Sequence, residues 1–308
     1  MNQRSASSIL SRSGVVLVDK PAGPTSHDIV AKLRRIMGTR RVGHSGTLDP
    51  MATGLLVVGV ERGTKFLAHV VAHDKRYEAT VRLGAATHTD DAEGETTFTA
   101  APEKLQALTE QRIREAFATQ VGDIMQRPTS VSSIKINGRR AHELVREGHD
   151  VVLPERSITI FSLDVADVVF DSAHSYVDAR IFVHCSSGTY IRAIARDVGE
   201  ALKVGGHLTR LRRTSVGPFD ISDASTLEEL DADPQLSLTL DEAMVRCFET
   251  REISEQEGSD LSLGKWLEPV GNKDVRAAVT PSGQAVALVE EKGKRAASIF
   301  VARPAGMD

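Results

Sequence analysis

The sequence predicts an α+β fold: a central mixed, mostly antiparallel sheet flanked by helices, followed by a small β-rich C-terminal domain. Three observations lead there. The segment RYEATVRLG alternates strictly, with Tyr77, Ala79, Val81 and Leu83 on one face and Glu78, Thr80 and Arg82 on the other, as a half-buried strand requires. Two long strand-like runs, SITIFSLDVADVVF and SYVDARIFVHC, follow one another directly, which fits an antiparallel pair. Helical periodicity comes in single isolated stretches between hairpins, unlike the regular alternation of a doubly wound parallel sheet.

The elements follow in order. GVVLV (14–18) reads as a buried strand, and DKPAGP breaks it into a turn. Ser26 is placed to cap a helix whose apolar face is Ile29, Val30, Leu33, Ile36 and Met37, with Gly38 as its stop. The strand LLVVGV comes next, then a short helix from about Thr64. Residues 109–121 form an amphipathic helix with Ile113, Ala116 and Phe117 inward, ended by Gly122. SIKINGRRAHELVREG reads as a strand, an Asn-Gly turn and a helix ending at Gly148. In HCSSGTYIRAIARDVGEALKVGG a strand gives way to a helix that Thr189 can cap, with Ile191, Ile194, Ala195, Val198 and Leu202 inward. A composition shift near residue 245 divides the chain into a domain 1–245 and a smaller module 246–308, with a helix in SEQEGSDLSLGKWL and strands in VRAAVTP, QAVALVEE and ASIFVARP.

At 308 residues, 41% hydrophobic and 26% charged, the chain has the composition of a soluble globular protein. No apolar run is long enough to cross a bilayer, and MNQRSASSILSRSG lacks the apolar core of a secretory leader, so a cytoplasmic protein is expected. Cys185 and Cys247 stand far apart, without the spacing of a disulfide framework or a thiolate metal site. The net charge of −4 is unevenly spread: residues 226–258 hold ten acids and two bases, a balance of −8 that leaves +4 for the rest. Basic residues cluster at Lys32, Arg34, Arg35, Arg40 and Arg41, at Arg139 and Arg140, and at Arg210, Arg212 and Arg213. One such cluster is an ordinary solvated face, but three together point to phosphate contacts.

The stretch GHSGTLDPMATG (43–54) concentrates the chemistry. Asp49 lies between a glycine-rich turn and Pro50, just before a buried strand. A carboxylate so placed either solvates a turn or serves as nucleophile or general base. Other strings are weaker. His69 and His73 have the spacing of a zinc helix, with His88, Asp90 and Asp91 as possible company, but no HExxH glutamate is present and residues 88–94 look like a hairpin tip. Ser132 to Lys135 matches SxxK without its partner motifs, and GVERGTK lacks the spacing of a phosphate loop.

Four ordered stretches, DKPAGPTSHDIV, GHSGTLDPMATGLLVVGVERGTK, KRYEATVRLG and CSSGTYIRAIARDVG, resemble the successive motifs of the bacterial tRNA pseudouridine-55 synthases, and the resemblance runs from about Gly14 to TRLRRTSVGPF. It implies a pseudouridine synthase-like catalytic domain and a cofactor-free isomerase that converts the uridine of the tRNA T-loop; apart from tRNA, no membrane and no obligate protein partner is evident in the sequence, and a monomer is expected. The C-terminal module would bind RNA. By the same resemblance Asp49 is the catalytic aspartate, Tyr77 stacks on the target base, Arg192 pairs with the aspartate, and His44 enters the space left by the flipped nucleotide. Tyr190 and Leu211 line the base pocket, while Lys20, beside Pro21, joins the substrate-binding set or supports the loop. Arg34, Arg35, Arg40, Arg41, Arg139, Arg140, Arg212 and Arg213 are the expected RNA-backbone contacts, and residues near 123–150 correspond to an RNA-gripping insertion. In that insertion Thr129, Val131 and His142 replace the family's usual proline, aromatic and tyrosine, and Ser45 stands where threonine is frequent.

Overall fold

The computed structural model describes residues 9–132, 134–136, 138–141, 147, 151–173 and 175–307. The helix expected up to Gly148, with His142 in it, lies outside the described residues. The chain divides into two compact units, one made of residues up to 72 together with those from 215 onward, the other of residues 73 to 214.

In the first unit the strands Leu238–Thr239, Gly14–Lys20 and Thr53–Val60 are antiparallel neighbours, and Val42–Ser45 also pairs with Thr53–Val60. GVVLV is a continuous apolar run because both of its faces are covered. Val15 and Leu17 enter a core with Phe66, Met244, Leu288 and Phe300, whereas Val16 and Val18 enter a second with Ile29, Leu33 and Leu227. The helix Gly63–Val70 lies against the Thr53–Val60 strand at very short range. Gly59 permits this, since a Cβ there would stand 2.5 Å from the carbonyl of Gly63 in the helix.

The helix Ser26–Ile36 is capped one residue earlier than expected. The Thr25 hydroxyl accepts from the Asp28 N–H (3.1 Å) and the Asp28 carboxylate accepts from the Thr25 N–H (2.8 Å), a reciprocal capping box. That frees the Ser26 hydroxyl for another task, described below. The same device accounts for three of the ten acids in residues 226–258. Thr226 with Glu229, Thr239 with Glu242, and Ser254 with Glu257 each form a capping box at the start of the helices Leu227–Ala232, Leu240–Cys247 and Glu255–Ser262. Carboxylates at those positions satisfy orphan backbone donors and meet the positive end of the helix dipole. The bonds from Thr239 and from Ser254 hold the Glu242 and Glu257 carboxyls below the usual range.

The C-terminal strands run in the order Thr250–Glu252, Arg276–Val279, Ala285–Lys292 and Arg295–Val301, the first pair parallel and the others antiparallel. Three match the expected strands. Thr250–Glu252 was hidden in the sequence because three residues carry no period. Leu288 and Phe300 share a core with Val15 and Leu17, so this sheet belongs to the same compact unit as the N-terminal strands.

In the second unit the order is Gly206–Val216, Lys75–Leu83, Val177–Cys185, Arg156–Phe170, Gly122–Gln126. The pair read from sequence is antiparallel, with β-bulges between Ile160 and Ser162 and between Val165 and Asp167. The helix Glu110–Ala118 packs on the Arg156–Phe170 strand, and the helix Ile191–Ala201 on Lys75–Leu83. Thr189 does not cap the latter: its hydroxyl donates to the Ser186 carbonyl (3.0 Å), and Tyr190 is the N-cap residue.

Candidate active site

The first unit carries Asp49, His44 and Lys20. Between Ser45 and Thr53 the chain has no ladder partner, so its backbone groups need other ones. Gly46 turns the chain at φ +80, a left-handed conformation that favours glycine. The Ser26 hydroxyl donates to the Leu48 carbonyl (3.1 Å) and accepts from the Leu48 N–H (2.9 Å). The Gly23 N–H donates to the Pro50 carbonyl (2.8 Å), and the Ala52 N–H to the Asp49 carbonyl (3.1 Å). Lys20 completes the set: its ammonium donates to the carbonyls of Ala52 (2.7 Å), Pro21 (2.9 Å) and Pro50 (3.2 Å). With Leu48 and Ala52 buried on either side, half-buried Asp49 sits on a loop pinned at both ends. His44 stands edge-on to His27, ring centroids 5.4 Å apart. Lys20 is 0% exposed, so its amine lies in the interior, where its three carbonyl bonds staple the loop, in line with the supporting role and not with an open substrate-binding surface.

The second unit carries Tyr77, Tyr190, Arg192 and Leu211. Tyr77 and Leu211 are buried, and Tyr77 stands in register with Val183. On the same strand face, burial above all, with the nearby Arg213 charge, pushes the Lys75 amine down to about 8. Tyr190 is fixed by Gln126, whose amide donates to the Tyr190 carbonyl (3.1 Å) and accepts from its N–H (2.9 Å), and the Arg156 guanidinium lies 4.7 Å from the ring centroid.

Arg192, in the first turn of its helix, is 5% exposed and meets the Asp91 carboxylate, 4% exposed, at 3.2 Å. Its guanidinium also donates to the carbonyls of Thr89 (2.8 Å) and Val131 (3.0 Å). One turn on, Arg196 pairs with Asp90 at 3.3 Å and donates to the Arg127 carbonyl (2.8 Å). Burial pushes the Asp90 carboxyl up, against the pull of Arg196. Residues 88–94 are the hairpin tip that the sequence suggests, closed by the His88 N–H to the Glu95 carbonyl (2.9 Å). Its two aspartates nevertheless serve as the arginines' counter-ions. Sequence reading weighs Asp91 only as company for a metal and does not single out Gln126, because nothing local ties a hairpin tip or a strand end to a helix so far along the chain.

Of the expected phosphate-contact residues, Arg34, Arg35, Arg40 and Arg41 are exposed, and Arg34, Arg35 and Arg40 line an open hollow of about 690 Å3. Arg41 spends part of its charge on Glu61, 3.5 Å away. Arg139 is exposed and paired with Glu147, Arg212 is half-buried, and the Arg140 side chain lies outside the described residues. Arg213 is 1% exposed, so a phosphate contact is replaced by a place in the interior. His69 packs against Phe300 (5.9 Å between centroids), and burial lowers its pKa. Among the described residues no three His, Cys, Asp or Glu side chains are grouped to hold a metal ion.

The model of the TruB family pseudouridylate synthase N-terminal domain matches residues 34–191, half of the chain. The chain belongs to the TruB family. A tRNA pseudouridylate synthase B C-terminal domain follows at 192–250, and a tRNA pseudouridine synthase II C-terminal domain at 248–303. The tRNA pseudouridine synthase B of Corynebacterium jeikeium (strain K411) is 84% identical over 308 residues, covering 100% of both chains. That of Corynebacterium glutamicum (strain R) is 61% identical over 293 residues, 95% of this chain and 97% of that one. In fold, the chain is similar to a structure described as an H/ACA RNP bound to a substrate RNA containing 2'-deoxyuridine, with TM-score 0.71, 22% identity and coverage of 97% of this chain and 87% of the other. TruB membership makes this chain an enzyme, a pseudouridine synthase, and agrees with the α+β sheet and the small C-terminal β domain.

Proposed function

We propose that the chain converts uridine 55 in the T-loop of tRNA to pseudouridine, with Asp49 as the catalytic group. The observation that carries this is full-length identity of 84% to a tRNA pseudouridine synthase B, together with a carboxylate on a loop braced by Lys20 and Ser26. The reaction breaks the C1'–N1 bond, forms C1'–C5, and exchanges the C5 hydrogen for one on N1. It is an isomerisation with no net oxidation, so it requires no redox partner. In this reading Asp49 supplies an ionised carboxylate that traps or steadies the separated sugar or base. Arg192 supplies the positive charge that favours the ionised form. The target leaves the stacked loop at a cost of a few kcal/mol, and stacking on Tyr77 offsets about 1–3 kcal/mol of it. His44 fills the vacated space, Tyr190 and Leu211 border the base, and Arg34, Arg35, Arg40, Arg41, Arg139, Arg140 and Arg212 steer the phosphates. The protein works as a cytoplasmic monomer.

The test is tritium release from C5-labelled tRNA transcript. Wild type should release label with or without chelator, and Asp49→Asn should slow release by at least about 10^4-fold while still binding tRNA. Equal release by both proteins removes Asp49 from the mechanism.

A further inference from the structure

The protein's single tryptophan is not in the catalytic motifs. Trp266 lies in the C-terminal module, 45% exposed, with the Arg295 guanidinium 5.0 Å from its ring centroid. Its position is fixed by its neighbour, because Leu267 and Ala296 exchange N–H to carbonyl bonds of 2.9 and 2.8 Å. Opposite it is the tip of the hairpin between Ala285–Lys292 and Arg295–Val301, a two-residue turn with Gly293 at φ +63 and Lys292 in register with Arg295. The tip reads Lys292-Gly293-Lys294-Arg295, with exposed Lys265 adjacent to Trp266 in the chain. Lys292 pairs with Glu290 and Lys265 with Asp260, whereas among the described residues neither Lys294 nor Arg295 has an acidic partner.

We infer that Trp266, backed by Arg295 and flanked by Lys294, is a stacking platform for one unpaired nucleotide of the RNA that this protein binds. The inference rests on the RNA substrate proposed above. Three physical arguments carry it. A large aromatic ring held half in water costs free energy unless something flat covers it, and a nucleobase does so without sequence preference. The cation over the ring strengthens that stack and lies where a phosphate can follow. Lysine is depleted in protein–protein interface cores, yet exposed lysines adjoin both partners in the chain, Lys265 beside Trp266 and Lys294 beside Arg295. Residues 226–258 of the same unit carry a balance of −8, so within that unit RNA can approach without repulsion at basic surfaces such as this tip and the exposed Arg34, Arg35, Arg40 and Arg41.

Because the protein has one tryptophan, its emission reports this ring alone. The experiment titrates the full chain with tRNA transcript and with a single-stranded oligonucleotide, following emission, filter-bound affinity and turnover together. Saturable quenching at the midpoint of filter binding is expected. Trp266→Ala should weaken tRNA binding by at least about fivefold with kcat unchanged, and Trp266→Phe should recover most of it. Lys294→Ala should lower the slope of log affinity against log salt by about 0.7. Unchanged emission through saturation, with normal turnover and full affinity in Trp266→Ala, overturns the platform and leaves the isomerase reading standing; a surface for a protein partner would give that result. Quenching by the oligonucleotide without any turnover of tRNA has the opposite meaning: the platform survives and the isomerase reading falls.

Discussion

Lys20 in one unit and Arg192 in the other are both buried cations, and their surroundings differ. Lys20 is ringed by the carbonyl oxygens of Pro21, Pro50 and Ala52, which are neutral dipoles belonging to the loop it holds. Arg192 faces a formal charge, Asp91, as well as the carbonyls of Thr89 and Val131. A cation bonded to backbone carbonyls acts on shape, since removing it strands acceptors whose positions define the loop. A cation facing a buried carboxylate acts on potential, since removing the partner leaves an uncompensated charge in a poorly solvating interior. Two positive side chains with similar burial thus keep different company, the one three backbone carbonyls of the loop, the other a carboxylate as well as carbonyls.

That contrast can be broken by substitution. The largest effect is expected from Asp91→Ala, which should destabilise the fold by about 3–5 kcal/mol by removing the buried carboxylate that Arg192 faces. Asp91→Asn, of the same size, should cost less stability than Asp91→Ala because packing is kept, and should change kcat/KM by about 10^2-fold or more as the potential at the guanidinium shifts. Urea unfolding beside tritium release separates the two, and Asp91→Asn with full activity would make Arg192 a structural residue like Lys20. Lys20→Met comes next, at about 2–4 kcal/mol for the stranded carbonyls. Its loss of activity should follow its loss of stability, recovering at low temperature. Activity abolished in a fully folded Lys20→Met protein would show that this amine also acts on potential. The smallest effect is expected at the surface: Arg40→Ala should leave stability and kcat unchanged and reduce the salt slope of tRNA binding by about 0.7–0.9. An unchanged slope returns the exposed cluster to the category of solvated faces.

Much of the fold was legible because its signals are local. Alternation over Lys75–Leu83 and the 3.6-residue period over Ser26–Ile36 are imposed by which face is buried, and that is written residue by residue. The errors fell where two nearby residues competed for one task. Thr25 capped the helix in place of Ser26, and Ser26 reached Leu48 instead. The three further capping boxes are present as Ser/Thr and Glu at the right spacing, but a net charge summed over residues 226–258 does not show them, because capping depends on position and not on total charge.

By itself the sequence determined the element types, the two strands buried on both faces, the family and the aspartate of the glycine-rich loop, since periodicity, turn chemistry and motif order are properties of short neighbouring stretches. Only the tertiary structure decided that Lys20 and Arg213 are interior residues and that Asp91 balances Arg192. Those facts depend on contacts between residues far apart in the chain, and the strength of a charge depends on how much water the folded chain leaves around it.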